Sequence, residues 1–205
     1  MADPKELSGI VLSRDPAGER FLRIRIFDPI AGLRASLFGL PGKRRQKTSP
    51  PDLFDEVECI ISPPKTDFSI PFVEDFRTIK SYRELATKPK AFIIASEIAR
   101  FYLNNGSHLL DPGPRLELLH SSLSSFQRTE FPQVILLKLY YRFARDEGLP
   151  VRESWLTSLP KSLLEVTQEM LRLPVDQVTV CPGKMCEVLE SLKNWMNAET
   201  ELRVE

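Results

Sequence analysis

Phe21-Leu-Arg-Ile-Arg-Ile-Phe27 is the stretch whose reading decides the fold. Leu22, Ile24 and Ile26 alternate with Arg23 and Arg25, between Phe21 and Phe27. A period of two with one apolar side predicts a half-buried β-strand. Working outward, Asp28-Pro-Ile-Ala-Gly32 supplies turn chemistry. Leu33–Phe38 then alternates again, with Leu33, Ala35 and Leu37 against Arg34, Ser36 and Phe38. Ser8–Ser13 upstream is a short β-rich run. Downstream of the basic, Pro-rich stretch Gly39–Pro51, Glu56–Ile61 sets Val57, Cys59 and Ile61 against Glu56 and Glu58. A fifth candidate, Phe68–Val73, contains Pro71, which restricts it to an edge or a bulge. Five short strands in about 75 residues suit a small barrel of the OB type.

Beyond residue 80 the apolar spacing changes from two to three and four. Lys90–Leu103 carries Phe92, Ala95, Ile98, Ala99 and Tyr102 at helical spacing and stops at Asn104-Asn105-Gly106. Pro114 opens a helix striped by Leu116, Leu119, Leu123 and Phe126. Pro132 opens another in which Val134–Phe143 is apolar almost all round, the pattern of a central buried helix, ended by Gly148. Pro160 precedes Leu163, Leu164, Val166, Met170 and Leu171, and a last helix spans about Gly183 to Ala198. The expected architecture is α+β: an N-terminal OB-like small β-barrel over residues 1–80, then an all-helical domain over 81–205.

The chain has 205 residues, 42% hydrophobic and 27% charged, which excludes a disordered class. Lys plus Arg is 28 and Asp plus Glu is 28, so net charge alone predicts no polyanionic partner. The distribution is uneven: residues 1–50 carry a net +5, 51–76 a net −6, 77–130 a net +3 and 131–205 a net −2. Three cysteines, Cys59, Cys181 and Cys186, are too few for a disulfide framework. The first residues lack an apolar signal core. No apolar run approaches the roughly 18 residues of a membrane span, so a soluble, cytoplasmic protein is expected.

No catalytic centre assembles from the sequence. His108 and His120 form no metal pair with a cysteine. Cys181-Pro-Gly-Lys-Met-Cys186 resembles half a zinc module, yet four ligands are needed, so neither metal nor cofactor is expected. Gly39-Leu-Pro-Gly42-Lys43 has two residues between its glycines where a phosphate loop has four. The carboxylate pairs Asp55–Glu56 and Asp146–Glu147 fit solvated faces. A non-enzymatic role follows as the expectation.

One constellation points to binding. Arg23 and Arg25 share a strand face with Phe21 and Phe27, and the next strand is expected to place Arg34 and Phe38 on the matching face. The following loop adds Lys43, Arg44, Arg45 and Lys47 without an acid. Cations interleaved with aromatics suit single-stranded nucleic acid, where phosphates meet the charges and bases stack on the rings. The competing reading is an exposed sheet face whose arginines pair across strands with Glu56 and Glu58.

The order of features resembles the RecO family of bacterial recombination and repair mediators. The residues that carry the likeness are Gly18-Glu19-Arg20, the turn at Gly32 and the basic loop after Gly39. They continue through Pro51-Asp-Leu-Phe-Asp-Glu-Val-Glu58, a strand and helical segment around Phe76, and Val134–Gly148. The resemblance implies an N-terminal OB-fold and a helical domain that bind single- and double-stranded DNA and anneal complementary strands. It also implies that the protein joins RecR to load recombinase and docks the acidic, apolar C-terminal tail of single-stranded-DNA-binding protein. Such a tail needs an apolar pocket rimmed by cations. Lys138, Arg142 and Arg145, at spacings of four and three, lie on one flank of the central helix as candidates. Many members carry a four-cysteine zinc module, and here only Cys181 and Cys186 are near each other. The alternative from another class is a protein-interaction adaptor, a divergent paralogue without nucleic-acid binding.

Overall fold

The computed structural model describes residues 5–40, 49–63, 66 and 69–205. Five strands, β1 (Lys5–Pro16), β2 (Phe21–Asp28), β3 (Gly32–Gly39), β4 (Glu56–Ile61) and β5 (Val73–Lys80), form an antiparallel sheet in the order β3-β2-β1-β4-β5. Helices follow: α1 (Pro89–Asn105), α2 (Pro112–Ser125), α3 (Pro132–Asp146), α4 (Lys161–Arg172) and α5 (Pro182–Glu199), with short helical turns at Arg83–Thr87 and Val151–Leu156. The chain divides into two compact units, Met1–Thr87 with Tyr102–Leu116, and Lys88–Phe101 with Glu117–Glu205.

In the first unit, period-two alternation turns one side of the sheet into a core of Leu7, Val11, Ile24, Ile26, Phe38, Val57 and Cys59, with Leu22, Ile61, Val73 and Phe76 against it. The outer edges of β3 and β5 approach each other. Leu37 bridges Phe72 in parallel, and the Leu37 N–H donates to the Pro71 carbonyl at 2.8 Å. One bridge is not a ladder, so the sheet is curled but is not a closed barrel, which corrects the expected barrel. Pro71 has no N–H to give, which removes one of the bonds a ladder there needs.

The fifth strand also differs from expectation: it runs over Val73–Lys80, after Pro71, where the alternation suggested Phe68–Val73. Two register irregularities against β4, at Glu56/Val57 and Ile60/Ile61, break the period of two. The apolar residues of β5 consequently fall at Val73, Phe76 and Ile79, a spacing of three that hides a strand.

The segment Tyr102–Leu116 completes the first unit on the other side of the sheet. Tyr102 meets Phe27 edge to face at 4.9 Å, and its hydroxyl donates to the Arg115 carbonyl at 2.7 Å. Leu33 N–H donates to the Gly106 carbonyl, and a Cβ on Gly32 would lie 2.5 Å from that same oxygen, so only glycine fits.

In the second unit α3 is the central helix, as its all-round apolar pattern predicts: Val134, Ile135, Leu136, Leu137, Leu139, Tyr140, Phe143 and Ala144 are buried. Phe101 lies 4.9 Å from the Tyr140 ring and 4.8 Å from Phe143. The helix ends with Gly148 N–H on the Arg145 carbonyl and Leu149 N–H on the Ala144 carbonyl, the paired bonds of a Schellman stop. Trp155 and Trp195 bury their rings and donate their indole N–H groups to Ser191 and Ser154 at 3.1 and 2.9 Å. Phe92, expected on the inward stripe of α1, is instead exposed, since Ala91, Ile94, Ala95 and Ile98 fill that stripe. Among the described residues no helix is long and apolar enough to cross a membrane.

Two consequences for stability are measurable. Gly9 has φ +149°, and a Cβ there would sit 2.0 Å from the Phe27 carbonyl oxygen. Gly9→Ala is expected to cost roughly 2–6 kcal/mol in urea unfolding. Gly18→Ala, at φ +75° with open space around it, costs only about 1–2 kcal/mol. Cys59 is a second probe: burial first, and the nearby Asp75 charge second, push its thiol up to about 12 from 9.0. Above pH 9 the unfolded chain loses this proton while the folded one keeps it. Stability therefore falls with rising pH by roughly 1.4 kcal/mol per unit from this group. Cys59→Ala is expected to flatten the difference in the alkaline limb, measured by denaturation between pH 8 and 10.

Candidate nucleic-acid interface

The turn between β2 and β3 decides which side chains share a face. Asp28 Oδ1 accepts the N–H groups of Ile30 and Ala31 at 2.8 and 2.7 Å, closing a short turn in which Asp28 pairs with Gly32. That register sets Ile26 opposite Arg34, Ile24 opposite Ser36 and Leu22 opposite Phe38. Arg34 and Phe38 therefore lie on the core side of the sheet, not on the face of Arg23 and Arg25. Side chains alternate strictly, so a one-residue difference in register exchanges the faces. Phe38 is buried against Phe76, rings 5.2 Å apart, and Arg34 is exposed near the end of the core side. Phe27 does share the arginine face, but Tyr102 covers it and it is fully buried. Neither Phe27 nor Phe38 offers a ring for stacking.

Arg23 and Arg25 stand on the outer face opposite Leu37 and Ala35. Arg25 Nε donates to Ser13 Oγ at 2.8 Å, and its guanidinium reaches Asp15 at 3.2 Å. Arg23 approaches the same carboxylate at 3.7 Å. These partners come from β1, because β1 lies between β2 and β4. Pairing with Glu56 and Glu58 is thus replaced by pairing with Asp15, and Glu58 is held by Arg77 instead, Nε to Oε2 at 2.7 Å. Both arginines keep a third or more of their side chains in solvent.

Beside Arg23 the fold builds an aromatic pair that alternation does not reveal. Phe21, at the start of β2, meets Phe72 edge to face at 5.4 Å. Phe72 is held by Ser62, whose N–H donates to the Phe72 carbonyl at 2.9 Å while its hydroxyl accepts the Phe72 N–H at 3.2 Å. It remains 38% exposed. The β1–β2 turn and the β4–β5 connection, 45 residues apart at Ala17 and Ser62, converge on this pair. Leu40 N–H bonds the Arg20 carbonyl at 2.8 Å, so exposed Arg20 stands where the chain enters the basic segment. Lys43, Arg44, Arg45 and Lys47 lie outside the described residues. Arg20 and Phe72 were missed by sequence reasoning, since one sits in a turn and the other follows a proline.

In the helical unit the expected cationic flank is only partly assembled. Lys138 donates its ammonium protons to the carbonyls of Leu171 and Leu173, capping the C-terminus of α4. Burial, then the neighbouring Arg142, lowers its pKa from the ordinary lysine value. Arg145 turns aside to Asp146, 2.6 Å away. Lys138 and Arg142 instead join Arg128, Ser121, Ser125 and Asp176 around a cleft of about 210 Å³. Cys181 and Cys186 are exposed free thiols, and among the described residues no group of three or more His, Cys, Asp or Glu could hold a metal.

The chain matches no protein-family model, and comparison with curated proteins finds no significant relative.

The Lys138 cap is testable. Lys138→Met keeps the stem and removes the ammonium, leaving two carbonyls of α4 without this donor. A loss of roughly 1–3 kcal/mol is expected in thermal or urea unfolding. Faster amide exchange should be confined to the last turn of α4.

Proposed function

We propose that this chain is a non-enzymatic DNA-binding mediator of the RecO type, holding single strands on the outer face of β2 and β3. The observation that carries the reading is the Phe21–Phe72 pair beside exposed Arg20 and Arg23. Oligonucleotides are bound in OB-folds by the strand 2–3 face and by the loops between strands 1–2 and 4–5. Those are the elements that meet here. The strand order and the parallel Leu37–Phe72 bridge between the two edge strands support an OB-like, partly open barrel. On this reading phosphates follow Arg20, Arg23, Arg25 and the Lys43–Lys47 segment, while a base stacks on the exposed side of Phe72. Binding of single- and double-stranded DNA, annealing of complementary strands, and loading of recombinase with RecR would follow from such capture. The Arg128–Lys138–Arg142 cleft suits the carboxylates of the single-stranded-DNA-binding protein tail.

A second reading, a protein-interaction adaptor, is favoured by Asp15, which already neutralises part of the charge of Arg23 and Arg25. Fluorescence anisotropy with a labelled oligo-dT strand at several salt concentrations separates the two. Arg23→Ala with Arg25→Ala is expected to flatten the slope of log affinity against log salt by about 1.4, one phosphate per arginine. Phe72→Ala should weaken binding by about 1–3 kcal/mol with the slope kept, because stacking releases no counterions. Wild-type chain that binds no DNA would favour the adaptor, and variants with unchanged affinity and slope would remove DNA from this face.

A further inference from the structure

The first unit carries a second surface of opposite sign. A cleft of about 560 Å³ opens over β1, β4 and β5, bordered by the β2–β3 turn. Its charged lining is Glu6, Asp28, Glu58 and Asp75 against a single Arg77, and Arg77 is held on Glu58. Its apolar lining includes Ile60, 42% exposed, and Ile30, 87% exposed, two large residues left in water amid carboxylates. The sheet register explains the grouping. Glu6 pairs with Ile60 and Ile60 with Asp75, and Ser8 pairs with Glu58 and Glu58 with Arg77, so two rows of side chains cross three strands on one face. Two of the seven acidic residues of the net −6 stretch 51–76, Glu58 and Asp75, lie here.

From this cleft we propose that the β1–β4–β5 face docks a basic, apolar, extended segment of a partner protein. Charge complementarity selects the occupant. A phosphate backbone is repelled by the net negative lining, in which Arg77 offsets Glu58 alone, and an acidic peptide likewise. A strand that presents Lys or Arg and Ile or Val on the same face, two residues apart, puts cations on Glu6 and Asp75 and an apolar side chain on Ile60 and Ile30. β5 is the last strand in the sheet order, so a segment lying along Asp75 and Arg77 also meets a strand edge beyond the Leu37–Phe72 bridge. The proposal stands apart from DNA capture, which uses the β2–β3 face of the same unit.

The test uses the full chain and a labelled peptide, Lys-Thr-Ile-Thr-Lys-Thr-Ile, whose cations and aliphatics share one strand face, with Glu-Thr-Ile-Thr-Glu-Thr-Ile as its charge-inverted control. The basic peptide is expected to bind and the control not to. Glu6→Lys with Asp75→Lys should weaken binding about tenfold or more, since each like-charge contact is unfavourable. Ile60→Asp is the deciding variant. It adds negative charge yet should weaken binding about fivefold or more, because the apolar contact is lost. Thermal melting of each variant guards against misfolding, and unchanged oligo-dT binding shows that the β2–β3 face is intact. Absence of peptide binding would overturn the proposal. So would binding that Ile60→Asp leaves equal or stronger, the mark of non-specific charge attraction. A concentration-dependent dimer that the same variants dissolve would assign the face to a second copy of the chain and likewise overturn it.

Discussion

One carboxylate ties three strands together. Asp28 is almost fully buried, holds the β2–β3 turn through the N–H groups of Ile30 and Ala31, and reaches the Ser8 N–H of β1 at 3.4 Å. The turn it closes fixes the register of β2 on β3, and register in a sheet fixes faces. From that single choice follow the burial of Phe38, the separation of Arg34 from Arg23 and Arg25, and the position of Gly32 against Gly106. Gly9 imposes the matching constraint from the other side. With no Cβ it lets the Phe27 carbonyl come close, so the long β1 can serve β2 on one edge and β4 on the other.

The same geometry sorts charge. Basic groups from the β1–β2 turn and β2 collect around Phe21 and Phe72, while carboxylates from β1, β4 and β5 collect around Ile60. Asp15 moderates the first group without cancelling it, since both arginines remain partly in solvent. The first unit thus carries two patches of opposite sign. A net charge of zero over the whole chain conceals both patches.

In the helical unit, cations are spent on structure as well as on surface. Lys138 satisfies carbonyls at the end of α4, a role that long-range packing creates 33 residues downstream at Leu171. Lys193 is similarly committed to Glu97, a half-buried pair across α5 and α1. Arg128 and Arg142 are the exposed cations left beside the small cleft. The cationic flank expected from spacing is thus only partly assembled: Arg128 lies beside Lys138 and Arg142 at the cleft, and Arg145 turns to Asp146.

By itself the sequence determined the elements whose signal is local. Alternation in Phe21–Phe27 and Glu56–Ile61 places both strands, and the all-round apolar run Val134–Phe143 marks the buried centre of the helices. Prolines opening α3 and α5 and Gly148 after α3 set helix limits through backbone chemistry that needs no tertiary partner. The candidate interface was legible only as Arg23 and Arg25 on one strand face. What joins them was decided by the tertiary structure, because each contact depends on pairing between distant segments. Asp15 reaches them through β1–β2 pairing, Phe72 reaches Phe21 across the β4–β5 connection, and Arg34 leaves them through the β2–β3 register. β5 itself was hidden because bulges against β4 remove the period of two, and a bulge is a property of the pair, not of either strand alone.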